Sequence, residues 1–153
     1  MMNHANLKEK VFAHCWETVL QQEKGLLERQ KQLRESLDSE QKSSAGDKHE
    51  TGRAMVQLEQ EKLGKQLHEI SQLKQVLTRI DAEQSHQTVA LGSLVRTQEN
   101  IFFISISTQP YSNGGQKVLC ISPASPLGRV LLGKTTGEVV PFLEKQHQIL
   151  EIH

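Results

Sequence analysis

Two acidic side chains three residues apart, Asp47 and Glu50, are the residues of this chain best suited to chemistry. In a helical turn that spacing sets both carboxylates on one side. Two carboxylates projecting together can hold a hard divalent cation such as Mg²⁺ alongside ligands from a partner. A cation held this way can orient and deprotonate a water for phosphodiester hydrolysis, and one carboxylate could also move a proton. The same residues suit a plain helix start. Acids in a first turn are favoured by the macrodipole, and Ser44/Asp47 and Asp47/Glu50 both have capping-box spacing. On spacing alone both roles stay open.

A second pattern offers different chemistry. Gly128 to Thr135 reads G-x-x-x-x-G-K-T, the phosphate-loop pattern. A phosphate loop needs backbone N–H groups free to converge on an anion, helped by small residues between its glycines. Here the interior is Arg129-Val130-Leu131-Leu132, which wants burial, and no further βαβ pattern surrounds it. The stretch also reads as a short capped helix, with Ser125 at N-cap, Pro126 at the first helical position and Gly133 just past the end. That reading needs nothing the sequence lacks, and it is the one we adopt.

The elements that must carry these residues fall into two halves. Residues 1–85 contain no proline and are rich in Gln, Glu, Lys and Leu, a composition that favours long helices. Ala5, Phe12, Val19, Leu26 and Leu33 recur every seven residues, as do Val56, Leu63, Ile70 and Leu77. Leu67, Leu73 and Ile80 widen the second stripe. Two heptad runs imply coiled-coil packing. Between them lies a polar loop, Asp38 to Gly46, rich in turn and cap residues. The expected arrangement is a monomeric antiparallel hairpin over 1–85 with its tip around 38–52; a dimerising coiled coil is the competing arrangement.

All four prolines, at 110, 123, 126 and 141, lie in the last third of the chain. There the pattern changes to strands. Thr88–Val95, Ile101–Ile106, Lys117–Ile121, Val139–Leu143 and Gln148–Ile152 have strand character, with a turn at Asn113-Gly114. With the short helix at 126–132 they predict a small antiparallel sheet domain over 86–153. The fold class is α+β.

The stretch Ile121 to Val140, I-S-P-A-S-P-L-G-R-V-L-L-G-K-T-T-G-E-V-V, resembles the C-terminal signature of the Gre family of bacterial transcription elongation factors. In that family S-P-L-G-x-A-L-L-G-K precedes a G-D/E-x-V strand. Gly46 to Thr51, G-D-K-H-E-T, is similar to the G-D-x-x-E-N of the family's coiled-coil tip. The family usually continues Asn-Ala-Glu/Asp-Tyr after the second acid, where this chain has Thr51-Gly52-Arg53-Ala54. The resemblance implies an FKBP-like C-terminal domain that docks on RNA polymerase and a coiled coil that enters its secondary channel. It gives Asp47 and Glu50 the role of the acidic pair that shares Mg²⁺ with the polymerase and promotes cleavage of backtracked RNA at its 3′ end. No cofactor is then bound by the chain alone, and it is not itself an enzyme. The resemblance also marks Ser125, Pro126, Leu127 and Gly128 as candidate partner-binding residues.

Composition bounds the alternatives. Lys and Arg number 18, as do Asp and Glu, and neither half departs from balance. No basic stripe favours sequence-independent binding to nucleic acid. Cys15 and Cys120 are far apart and are expected to be reduced thiols; seven scattered histidines show no zinc-ligand spacing. No segment approaches a membrane span or a signal peptide, so a cytoplasmic location is expected.

Overall fold

The computed structural model describes the backbone of residues 3–41 and 46–153 and the side chains of 3–39 and 51–153. Among the described residues three helices, α1 (His4–Gln41), α2 (Gly46–Thr78) and α3 (Pro126–Leu131), accompany six strands. The strands are β1 (Leu94–Thr97), β2 (Ile101–Ile104), β3 (Thr108–Asn113), β4 (Gln116–Ile121), β5 (Val139–Phe142) and β6 (Lys145–Ile152). The chain divides into two compact units, Met1–Thr18 with Gln75–His153, and Val19–Lys74.

The helical unit, Val19–Lys74, contains the rest of α1 and most of α2. Good helix formers and the absence of proline let both run long. They lie antiparallel, for the Lys74 ammonium meets the Glu23 carboxylate at 3.0 Å. That pair is partly exposed and contributes at most about 1 kcal/mol. The apolar seam does more: Val19, Leu33, Leu63 and Ile70 are all buried. The second heptad run expected from sequence therefore faces inward, as does the later part of the first.

The sheet unit takes the first turns of α1. Asn3 starts that helix, its side-chain oxygen accepting from the Asn6 N–H at 3.3 Å. Here the buried face of α1 is Leu7, Val11 and Cys15, while Ala5 is exposed and Phe12 only half-buried. The expected Ala5/Phe12 seam is thus displaced. A four-residue spacing packs broadly on a sheet, whereas the heptad suits a helix partner.

The sheet order is β3-β4-β2-β1-β6-β5. It is mixed: β2 and β4 are parallel, with Phe103 opposite Cys120, and the other pairs are antiparallel. The antiparallel sheet expected from sequence thus contains one parallel pair, and the expectation lacks β3. Pro110 interrupts β3 and hides it, yet β3 is an edge strand, where a missing N–H is tolerated. The register shift between Thr108 and Tyr111 brackets that proline. With β3 in place, the chain leaves β2, forms the edge, and returns beside β2 in the parallel sense.

Both sheet faces are covered. Val95, Phe102, Ile104, Val140 and Ile149 form one core with Leu131 of α3. On the other face Phe103 meets the ring of Phe12 edge-on at 6.4 Å, and Cys120 meets Cys15. This two-sided burial explains why Ile101 to Ile106 is almost continuously apolar rather than alternating. Burying a side chain such as Phe102 contributes about 1.5–3 kcal/mol.

Candidate functional site

Asp47 and Glu50 lie at the start of α2: α1 ends at Gln41 and α2 begins at Gly46. The acids therefore occupy the end of the helical unit where the chain reverses, opposite its Val19 and Lys74 end. Their side chains lie outside the described residues. The helix runs on through Thr51-Gly52-Arg53-Ala54 without a break, so Gly52 does not stop it.

The Ser125–Gly128 segment is described in full. Ser125 is the N-cap of α3, in extended geometry, and its Oγ accepts the Gly128 N–H at 3.1 Å. The same hydroxyl donates to the Ser122 carbonyl at 2.6 Å. Pro126 takes the first helical position, where its missing N–H costs nothing. Leu127 packs against the core, and Gly128 is buried. Of the four candidate partner-binding residues, Pro126 alone is exposed.

The phosphate-loop alternative fails on geometry. In a phosphate loop the helix begins near the Lys-Thr pair; here α3 has already ended at Leu131, and Gly133 turns the chain at φ +80. Leu131 is fully buried. The Thr135 hydroxyl and N–H both donate to the Glu138 carboxylate, at 3.1 and 2.6 Å. Those bonds hold the Glu138 carboxyl below its ordinary range. A carboxylate thus sits where a phosphate loop would need its anion.

Two clusters escaped the sequence reading. Cys15 and Cys120, 105 positions apart, bring their sulfurs to 3.8 Å in a buried pocket beside Ser105. The contact with Cys15, and then burial, push the Cys120 thiol up. The second cluster joins His4, at the start of α1, to Glu151 and His153, at the end of β6 and just beyond it. No spacing rule finds it, because β6 and the start of α1 are far apart in sequence. The i, i+2 spacing of Glu151 and His153 was its one local signal, since alternate strand residues share a face.

Among the described residues no helix is long and apolar enough to cross a membrane. No protein-family model matches the chain, and no curated protein does. Among solved structures, the GreA factor homolog 1 (Gfh1) protein of Thermus thermophilus is similar, at 19% identity and a TM-score of 0.37, over 90% of this chain and 94% of that one. The fold defines an α+β protein that pairs a helical-hairpin unit with a mixed-sheet unit.

Proposed function

We propose that this chain is a Gre-like transcription factor that binds RNA polymerase and acts through the tip of its helical hairpin. The observation that carries the reading is the position of Asp47 and Glu50. Both fall in the first turn of α2, at the chain reversal between two long antiparallel helices. At about 1.5 Å per residue, the 29 residues from Gly46 to Lys74 extend for about 43 Å. A probe of that length can enter a channel too narrow for a globular domain. The S-P-L-G signature supports the same reading, since its residues form the capped helix α3 on the sheet.

The sheet unit docks on the polymerase, and the hairpin enters the secondary channel as a monomer. Asp47 and Glu50 then face the polymerase's catalytic centre and the 3′ end of backtracked RNA. Two carboxylates on one turn are the hard oxygen donors that Mg²⁺ requires, shared with the polymerase's own ligands. Mg²⁺ held there would lower the pKa of a water for hydrolysis of the phosphodiester. The nuclease is the polymerase; this chain lends it two acids and works in the cytoplasm.

A second reading is favoured by the tip sequence. Lys48 and His49 place basic side chains between the acids, and no aromatic follows them. A factor with that tip would occupy the channel and modulate or inhibit the polymerase without stimulating cleavage. A transcript-cleavage assay on backtracked complexes separates the two. Stimulation supports the first reading, and binding without stimulation supports the second. Absence of binding leaves a coiled-coil adaptor.

A further inference from the structure

The cluster at the start of α1 and the end of β6 has the composition of a metal site. His4 Nε2 lies 3.1 Å from Glu151 Oε2, and His153 Nε2 lies 3.7 Å from the same oxygen. The three donor atoms lie within 4.8 Å of one another. The two imidazoles stack with centroids 3.9 Å apart and planes 13° apart. Arg96 reaches the other carboxylate oxygen, Oε1, at 3.4 Å. That contact orients the carboxylate and leaves Oε2 toward the rings, the kind of outer support that metal-ligating carboxylates use.

A second observation concerns the donor atoms themselves. Glu151 Oε2 and His153 Nε2 are both closed off from solvent, and neither makes an aligned hydrogen bond: Glu151 Oε2 has the two imidazole nitrogens near it, at 3.1 and 3.7 Å. Buried polar atoms are ordinarily paired, and an unpaired one calls for an explanation such as an ion. Here two buried atoms without an aligned hydrogen bond lie beside a third donor, His4 Nε2. The side chains themselves are 24–37% exposed, so an ion can reach them from solvent.

We propose that His4, Glu151 and His153 bind a divalent transition-metal ion of the zinc class through two imidazole Nε2 atoms and one carboxylate oxygen. Two nitrogens and an oxygen are a common zinc set, with a fourth position left for water. Donors bonded to one zinc stand about 3.0–3.6 Å apart, given bonds of about 2.0–2.2 Å. The distances of 3.1 and 3.7 Å come close to that without movement of the backbone. Mg²⁺ and Ca²⁺ demand oxygen ligands and are poorly served here.

The neighbours limit the strength of the site. Arg96 and Lys8 bring positive charge close to the site. The site is accordingly weaker than a closed four-ligand zinc centre, with affinity in the micromolar range. Stacked rings cannot both aim in-plane lone pairs at one ion, so loading turns one of them. His4, in the first turn of α1, needs only a side-chain rotation. The loaded ion ties the start of α1 to the end of β6. The proposal is independent of any role at the polymerase.

The test is a metal titration of the intact, chelator-treated protein. Zn²⁺ competed against a chromophoric chelator should bind at one equivalent. Co²⁺ should give visible absorption bands of a low-coordinate site. His4→Ala and His153→Ala should each weaken Zn²⁺ at least tenfold while keeping the far-ultraviolet dichroism of the parent. His68→Ala, on the exposed surface of α2, should leave binding unchanged, and excess Mg²⁺ should not compete. Thermal stability should rise with Zn²⁺ in the parent and not in either cluster variant. Should a cluster variant fail to fold, His4→Gln and His153→Gln replace it. No binding in the micromolar range, or binding that survives both cluster variants, overturns the proposal.

Discussion

A Cβ on Gly128 would stand 2.0 Å from the carbonyl oxygen of Ser122. It would also stand 2.9 Å from Ser125 Oγ and 3.0 Å from Pro123 Cα. The turn that enters α3 folds so closely over the helix that no side chain fits. Both contacts with the backbone belong to the segment that presents Ser125 as N-cap, so the glycine and the cap form one device. Gly128→Ala should lower unfolding stability by about 1–3 kcal/mol through overpacking. Ser125→Ala should cost about 1 kcal/mol through the lost cap. Urea unfolding of both variants checks this; an unchanged Gly128→Ala midpoint would mean that the turn opens without cost.

The capped helix was legible in the sequence because its signals are local. Ser125, Pro126 and Gly133 each act on the backbone beside them, and all three take the expected positions. The strands at 101, 117 and 139 were legible for similar reasons. The first sheet strand was not: Thr88 to Val95 reads as one strand, but Gly92 at φ +93 breaks it, leaving Thr88 in an isolated bridge to Thr135 while β1 begins at Leu94. The Cys15–Cys120 contact and the histidine cluster were illegible because tertiary packing alone brings those residues together. Asp47 and Glu50 are proposed from spacing and resemblance, which are local signals of the sequence.

The hairpin between β5 and β6 turns through Leu143 at φ 50 and Glu144 at φ 65. Two-residue turns of this hand favour Asn-Gly, since a Cβ in the left-handed region costs about 1–2 kcal/mol. Leu143 is 79% exposed, so little packing offsets that cost. Leu143→Asn with Glu144→Gly should raise unfolding stability by about 1–2 kcal/mol. Thermal and urea denaturation measure it, and a loss of stability would reveal a native role for the Leu143 side chain.

Burial, then the Lys8 ammonium, lower the pKa of His86, while a hydrogen bond with the His153 backbone opposes them. Asp81 is the acid that faces Lys8. Between the folded-state pKa and the unfolded value of about 6.5, the unfolded chain holds more protons. Stability therefore rises with pH through that window and declines as pH falls below about 6.5. In chelator-treated protein, His86→Gln should show a shallower loss between neutral and acid pH than the parent. Equal slopes in urea titrations would remove His86 as a cause.

Lys134→Ala should not alter nucleotide binding, because the parent should show none. The Thr135–Glu138 bonds and the burial of Leu131 leave no anion cradle in Gly128–Thr135. Calorimetry with ATP and GTP checks it. Micromolar affinity that disappears in Lys134→Ala would restore the phosphate-loop reading.

The tip carries the central claim, and one measurement reaches it most directly. Backtracked elongation complexes with purified RNA polymerase should cleave their transcripts faster when the parent protein is added. Asp47→Ala with Glu50→Ala should bind the polymerase as tightly and keep its fold, since the loss of a helix-capping side chain costs about 0.5–2 kcal/mol. The double variant should give no stimulation, and each single variant should need more Mg²⁺ than the parent. Stimulation that persists undiminished in the double variant, with polymerase binding intact, would contradict the assignment of Asp47 and Glu50.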